Sequence, residues 1–453
     1  MDHDLIAISE QALALLEQNR QDELKQLLQT LHPADLAEVL EELEDEQQTL
    51  ILRLLSDEAA ADTLSEMEAE DQVSILESLG DERAGDILEE MSDDDVADLV
   101  GELSPEQAAD LLNLMDAEGS ADVRELLEFG PETAGGIMTT EYVALGADLT
   151  AQMAIDEMRR LAPGAETAYY VYVVNEHEKL LGVLSLRDLI VSPPERPIRE
   201  IMRRSVQTVQ VDEDQEEVAR VVKKYNLLAV PVVDHYNVLR GIVTVDDVID
   251  VLEDEATEDI YRAAGVGGEA AQDLADGIWP AIRARLPWLV SLLFLEMVSG
   301  LVIDHFSGII TTFAVLSIFI TTMSGEAGNA ATQSLTVVVR GLATGEIDRS
   351  QIWAIVWREL RVGVVIGAAC GVVLAVSAAM WQRSVWIGLI AGSSIFFNMI
   401  IAKAAGAFFP VIIDRFGIDP AVASGPLITT VTDSTSMLIY FGIASVVLQY
   451  VAL

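Results

Sequence analysis

Asp433 stands in an otherwise apolar stretch, Thr429-Thr430-Val431-Thr432-Asp433-Ser434-Thr435-Ser436, shortly after the helix-opening run Ser424-Gly425-Pro426. A carboxylate at membrane depth is costly and marks an ion or substrate path. Thr429, Thr430, Asp433, Ser436 and Tyr440 fall on one face of a helix drawn through it. A second stretch carries Thr322, Glu326, Asn329, Gln333 and Thr336 at alternating spacings of four and three, beside Ser324, Gly325, Gly328, Ala330 and Ala331, which are small enough for close backbone approach. A polar face in a lipid-embedded helix must look onto protein or water. Two such faces meeting outline an aqueous path of hard oxygen donors with no thiol or imidazole. That donor set suits Mg²⁺, Ca²⁺ or Mn²⁺ better than softer metals.

The elements that position these faces are apolar segments long enough to cross a hydrocarbon core, which takes about 20 residues. Five such segments follow Ile278, at residues 286–305, 308–340, 352–381, 385–410 and 424–450. Arg283, Arg285, Arg340, Arg349, Arg358, Arg361 and Arg415 flank one side of the membrane and Arg383 the other. The arginine-rich side is the cytosolic one. The N-terminal half is therefore expected in the cytosol of a multi-pass inner-membrane protein, with the C-terminus outside.

Charge divides the chain in two. Residues 1–277 hold 66 of the 75 acidic and 18 of the 27 basic residues, and residues 278–453 hold nine of each, so the net charge of −48 belongs to the N-terminal half. An acidic soluble half repels nucleic acid and attracts multivalent cations. The single cysteine, Cys370, lies in an apolar stretch and excludes an internal disulfide or a cysteine-based metal cluster. Residues 1–30 are acidic and lack the basic start and apolar run of a signal peptide.

Within residues 1–130 the apolar positions repeat every twelve residues: Leu40, Leu52, Leu64, Leu76, Leu88, Val100 and Leu112 fall in one register. Leu43, Leu55, Met67, Leu79, Met91, Leu103 and Met115 fall three residues later. Each period is one short amphipathic helix and a turn, opened by signals such as Ser92-Asp93-Asp94-Asp95 and Ser104-Pro105-Glu106-Gln107. One such unit cannot bury its apolar stripe, so the units are expected to stack as a helical solenoid. With 38 acids against five bases, this segment is more acidic than solubility requires.

A second repeat follows. Ile137-Met138 recurs as Ile201-Met202, Val171-Tyr172-Val173-Val174 as Val230-Pro231-Val232-Val233, and Gly182 to Asp188 as Gly241 to Asp247. The apolar runs predict short buried strands, and the segments after Ala151 and Glu216 predict helices. This pattern resembles a tandem pair of CBS domains, a module that senses adenine nucleotides or ions. The resemblance places the carboxylate of a Ser/Thr-x-x-Asp pair on a ribose, which Ser185/Asp188 and Thr244/Asp247 match, although the same spacing also makes an N-cap. Tyr170, Arg187 and Asp188 are the candidate nucleotide contacts. Asp246 beside Asp247 suits a metal ion in the second copy. Beyond it, Asp247, Asp250, Asp254 and Glu258 form one stripe of a linker helix, a like-charge arrangement that a bound cation relieves.

Gly328-Asn329-Ala330-Ala331-Thr332-Gln333-Ser334, Arg340-Gly341-Leu342-Ala343-Thr344-Gly345-Glu346 and Asp419-Pro420-Ala421-Val422-Ala423-Ser424-Gly425-Pro426 leading to Asp433 resemble the membrane motifs of MgtE-type magnesium channels. The order of elements along nearly the whole chain matches as well. The resemblance implies a multidomain membrane protein: an α-helical solenoid N domain (1–130), an α/β tandem CBS pair (131–200 and 201–253), a connecting plug helix (254–280) and a five-helix transmembrane domain (281–453). It implies a homodimer with one pore on its two-fold axis, Mg²⁺ as cargo and regulator, and ATP as a ligand of the CBS pair. Asp433 with Asn329 then forms the pore site, Glu255, Glu258 and Asp259 lie on the plug, and Asp419 shares an ion with it. Asp247 and Asp250 match CBS sensor positions faced by Asp94, Asp95 and Asp98 of the N domain. Asn226 stands where the family can carry a metal-binding acid. Glu296, Glu326 and Lys403 have no implied role; Lys403 is expected to pair with an acid or to snorkel to the cytosolic edge.

Three other classes compete. A CBS-regulated intramembrane metalloenzyme needs a His-Glu-x-x-His motif, and His305 is the only histidine after residue 278. A transporter of another divalent cation, Mn²⁺, Co²⁺ or Ca²⁺, shares the carboxylate path, whereas an anion or organic solute calls for lining cations instead. A sensor without transport has no need of Asp433.

Overall fold

The structure, a computed structural model, describes residues 3–117, 119–162, 165, 167–266, 278–343, 347, 351–416 and 425–451. Two compact units divide the chain, Met1–Glu253 and Asp254–Leu453.

The first unit opens with ten short helices: α1 (His3–Glu17), α2 (Gln21–Leu28), α3 (Pro33–Glu41), α4 (Asp45–Leu52), α5 (Asp57–Ser65), α6 (Ala69–Leu79), α7 (Asp81–Leu88), α8 (Asp93–Gly101), α9 (Pro105–Leu112) and α10 (Gly119–Leu126). The twelve-residue register forms their common core: Leu40, Leu52, Leu64, Leu76, Leu88, Val100 and Leu112 are all buried. Ser56 and Ser104 cap their helices through their hydroxyls, and Pro105 follows at the first helical position. Ser92 departs from expectation, because it occupies the N-cap position of α8 without a side-chain cap bond. A polar element of the repeat has no signal in the apolar pattern. Gln48 and Gln72 are buried, and their side-chain amides close the preceding turns by donating to the Leu43 and Met67 carbonyls at 3.2 and 2.7 Å.

Two small α/β modules follow. The first comprises β1 (Ala144–Gly146), α11 (Ala151–Leu161), β2 (Tyr170–Val174), β3 (Leu180–Ser185) and α12 (Leu186–Val191). After the short α13 (Ile198–Ile201), the second comprises β4 (Val209–Gln210), α14 (Gln215–Tyr225), β5 (Ala229–Val233), β6 (Leu239–Thr244) and α15 (Val245–Ala264). Each sheet pairs its first two strands parallel and its last two antiparallel. The recurring Ile-Met segments explain the repeat, because each packs on the other module's sheet. Thr139 exchanges backbone bonds with Ile242 and Arg203 with Val183, all at 2.9–3.0 Å. A Cβ on Gly241 would stand 2.7 Å from Met138 Sδ, and one on Gly182 would stand 2.8 Å from Met202 Sδ. Glycine is required at both because the Thr139 and Arg203 carbonyl oxygens, 2.6 and 2.8 Å from those Cβ positions, are backbone and cannot give way as the methionines could. Asn226 ends α14 in the left-handed conformation at φ 51°, which asparagine tolerates better than most side chains.

The second unit holds α16 (Ile278–His305), α17 (Ser307–Thr312), a 3₁₀ segment (Ala314–Phe319), α18 (Ile320–Ala343), α19 (Ile352–Gln382), α20 (Val385–Arg415) and α21 (Gly425–Val451). Four of its described helices, α16, α19, α20 and α21, are long and apolar enough to cross a membrane. α18 is long enough at 24 residues but carries the polar face. The span expected over 308–340 is not one helix. A β-branched run, Ile309-Ile310-Thr311-Thr312, is a poor helix former, and the chain turns at Phe313 before restarting. The Tyr440 hydroxyl secures the break by donating to the Leu316 carbonyl at 2.9 Å. Against α20, α19 presents Gly363, Gly367 and Gly371 four residues apart, so the two backbones nearly touch.

Candidate functional site

On α18 the polar residues and the small ones separate by face. Met323, Ala327, Ala330, Ala331 and Leu335 are buried in the helix core. Glu326, Asn329, Gln333 and Thr336 are exposed, so the described helices leave this face uncovered. α21 crosses α18 at Gly328, where an added Cβ would stand 3.0 Å from Thr429 Cγ2. That approach brings the half-buried Asp433 to α18, where the Ser324 hydroxyl donates to its carboxylate. Glu296 of α16 lies within electrostatic range of Asp433, and the helices are joined by Ser299 Oγ and Ser434 Oγ at 2.8 Å. The sequence marks Glu296 only as an unexplained charge, since its neighbourhood depends on how α16 meets α21.

The other polar residues of α21 do different work. Thr429 and Thr430 return their hydroxyls to the Pro426 carbonyl at 2.9 and 2.8 Å, while Ser436 and Tyr440 are buried and Tyr440 serves the 3₁₀ segment. Asp433 is thus the polar group of that face with an open side and a charge. Lys403 does not snorkel. It is 3 % exposed and bonds Gln333 and Ser334 of α18.

A second cluster joins the solenoid to the CBS pair within the first unit. Asp95 and Asp98 of α8, Glu102 at its C-cap and Asp247 at the start of α15 act on one another electrostatically. Desolvation, then Asp95, Asp247 and Glu102, push the Asp98 carboxyl up to about 7. Desolvation, then Asp246 and Asp95, push Asp247 up to about 6, against the Thr244 amide and hydroxyl that donate to its Oδ2 at 3.1 and 2.5 Å. Asp94 is buried one residue away, and Asp250 is exposed one turn along α15. Glu255, Glu258 and Asp259 lie half-buried further along that helix, with Arg262 ion-paired to Glu258 one turn on. Among the described residues, no three acidic, histidine or cysteine side chains close to metal-ligand spacing. Asp419 lies outside the described residues.

The third place is a cleft lined by both CBS modules. A cavity of about 420 Å³ is lined by Tyr169, Tyr170, Ser185, Leu186, Arg187, Ile190 and Leu228, and a second, of about 370 Å³, shares Tyr170 and Ser185 and adds Asp188 and Arg203. Asp188 also holds an N-cap: Ser185 Oγ accepts from its amide at 3.1 Å, and its Oδ2 accepts from the Ser185 amide at 3.4 Å. The N-cap reading of the Ser-x-x-Asp spacing therefore holds, and Asp188 lines the second cavity as well. Tyr172, 1 % exposed, lines the second cavity with its hydroxyl buried and unpartnered. A stacking ring, a guanidinium, a carboxylate and an orphan hydroxyl around one cleft fit an adenine nucleotide.

An acidic solenoid, a CBS pair and a bundle of membrane helices with a carboxylate in its polar face define a CBS-linked divalent-cation transporter. Three family models match in that order: the MgtE intracellular N domain at residues 31–132, the CBS domain at 134–194 and 198–254, and a divalent cation transporter at 320–443. The magnesium transporter MgtE of Enterococcus faecalis is 42 % identical over 334 residues, 74 % of this chain and 73 % of the relative. That of Thermus thermophilus is 39 % identical over 331 residues, 73 % of each chain. This chain belongs to the MgtE family of magnesium transporters. Its soluble half is similar to a crystal structure of the cytosolic domain of the Mg²⁺ channel MgtE in complex with ATP, at 41 % identity and a TM-score of 0.52 over 54 % of this chain and 99 % of that one. It is also similar to the soluble part of a magnesium transporter, at 37 % identity and a TM-score of 0.53 over 56 % of this chain and 99 % of that one.

Proposed function

We propose that the chain conducts Mg²⁺ as a homodimer, with Asp433 and Asn329 of both copies around one path, and that cytosolic Mg²⁺ closes it. The observation that carries this reading is the uncovered face of α18. Glu326, Asn329, Gln333 and Thr336 are exposed in the single chain, beside Asp433. Such a face cannot look into lipid, and a second copy supplies both its cover and the second carboxylate. Mg²⁺ gives up its waters reluctantly, so paired carboxylates with amides nearby suit the hydrated ion.

The gate rests on the carboxylates of the soluble unit. Burial and neighbouring carboxylates hold Asp98 and Asp247 in a state that a cation relieves. With Mg²⁺ abundant, ions bridge Asp94, Asp95 and Asp98 to Asp247 and Asp250, and Glu255, Glu258 and Asp259 to Asp419. When Mg²⁺ falls, like charges repel and the plug helix moves, which makes the ion a ligand with differential affinity for the closed state. Tyr170, Arg187 and Asp188 would hold ATP, whose phosphates bring negative charge to the CBS pair. With the N-terminus in the cytosol, five crossings leave the C-terminus outside.

Mg²⁺ flux into proteoliposomes at clamped internal Mg²⁺, with Mn²⁺, Co²⁺ and Ca²⁺ as competitors, tests cargo and gate together. Inhibition by millimolar internal Mg²⁺ is expected, and flux indifferent to internal Mg²⁺ would remove the gate.

A further inference from the structure

Three buried groups form a hydrogen-bonded chain across α18, α19 and α20. Lys403 Nζ, on a side chain 3 % exposed, stands 3.5 Å from Ser334 Oγ, which in turn stands 2.8 Å from Glu359 Oε2 on a residue 6 % exposed. An ammonium only donates and an ionised carboxylate only accepts, so the direction of the chain is fixed. Lys403 donates to Ser334, and Ser334 donates to Glu359. Arg358 lies 3.3 Å from the other Glu359 oxygen, on its exposed side. A charge buried this deeply in a membrane helix is retained for a use.

The use is visible one residue back on α18. Lys403 Nζ also stands 3.3 Å from Oε1 of Gln333, whose side chain belongs to the exposed polar face. Since lysine offers no acceptor, the amide end it holds must be the oxygen. Gln333 is left with its NH₂ group for the path. The waters around Mg²⁺ point their hydrogens outward and seek acceptors, so an NH₂ is a poor stop for the hydrated ion. We propose that Lys403 is a positioning residue for transport: by holding the Gln333 oxygen inward, it keeps this level of α18 a weak binding step beside Asp433. Conduction needs sites weak enough to leave. This inference rests on the reading of α18 and α21 as the ion path.

The test is Mg²⁺ flux against external Mg²⁺ for Lys403→Met/Glu359→Gln, which removes both buried charges together and avoids stranding either. With the oxygen released to the path, the half-saturating Mg²⁺ concentration should fall and maximal flux should fall with it, each by about tenfold for the loss of one charge-assisted hydrogen bond. The same pair made on Gln333→Ala should shift neither quantity relative to Gln333→Ala alone. Unchanged half-saturation in the folded double variant overturns the proposal, as does a shift that persists without Gln333. Should the double variant not fold, Gln333→Asn, too short to reach Lys403, should also lower half-saturation, and an unchanged or higher value overturns the proposal equally. Asp433→Ala runs alongside. If it conducts normally, the path itself is misread. If it is inactive while the Lys403 variant behaves as wild type, only the positioning role fails.

Discussion

Replacing Gly406 by alanine should force apart a pair of helices that the fold holds at backbone contact. A Cβ built on Gly406 of α20 would stand 2.2 Å from the Ala331 carbonyl oxygen of α18, where ordinary contact begins at 3.4 Å, so the helices must separate by about 1.2 Å. No rotamer relieves this, because the obstacle is backbone. Overpacking of this kind costs about 1–3 kcal/mol. For a unit of this size that is a loss of roughly 2–12 °C in melting temperature. Ala331 lies two residues from Gln333, so the same displacement stretches the 3.3 Å bond to Lys403 and turns the polar face of α18. Two neighbours calibrate the result. Gly328→Ala meets only the Thr429 methyl at 3.0 Å and should cost less, and Gly442→Ala meets nothing within 4 Å and should be neutral or slightly stabilising. Thermal unfolding of the purified protein in detergent, followed by tryptophan fluorescence, should rank Gly406→Ala below Gly328→Ala, and that below Gly442→Ala. A Gly406→Ala protein that melts with the wild type would refute the close approach of α18 and α20.

Other expectations concern the soluble unit. Asp98→Asn should raise its melting temperature in Mg²⁺-free buffer by roughly 2 °C, since about 1 kcal/mol of like-charge repulsion is removed, and should shrink the gain on adding Mg²⁺; an undiminished gain would take Asp98 out of the sensor. Asp98 and Asp247 have carboxyls raised to about 7 and about 6 from the ordinary 3.8, so the folded state holds protons that the unfolded chain has lost. Their stabilisation is complete below pH 3.8 and disappears as pH rises through 6 to 7, so without Mg²⁺ the unit should melt higher at pH 6 than at pH 8. Protons and Mg²⁺ compete for the same oxygens, so apparent Mg²⁺ affinity should be weaker at pH 6, and a melting temperature flat between the two pH values would contradict both statements. Tyr170→Ala should weaken ATP binding about tenfold by calorimetry, as expected for a lost stacking ring, and an unchanged Kd would move the nucleotide elsewhere.

What was legible in the sequence was whatever repeats along the chain. The twelve-residue leucine register carried the solenoid core, and the recurring Ile-Met and Gly-to-Asp segments carried the paired modules. The reason for those repeats was not legible, since Met138 and Met202 fill space at glycines about a hundred and about twenty residues distant. The Gly363, Gly367 and Gly371 stripe of α19 went unread, because what makes it matter is a partner on α20. Asp433 stood out because charge is rare in apolar runs. Glu296 beside it, and the Lys403 chain to Glu359, arise from the way four helices cross, and no spacing along one helix encodes that. The break at Phe313 escaped for a similar reason: a β-branched apolar run reads as membrane span, and the Tyr440 hydroxyl that secures the turn comes from the last helix.

The central claim is that Asp433 is the carboxylate past which Mg²⁺ moves. Asp433→Asn keeps the size of the side chain and the acceptor oxygen facing Ser324 and removes the charge. Initial Mg²⁺ flux into proteoliposomes, with the variant and wild type reconstituted at equal density and internal Mg²⁺ held low to keep the gate open, measures its contribution directly. Flux should fall to the level of empty liposomes while the protein elutes and melts as wild type; wild-type flux from that variant would contradict the claim.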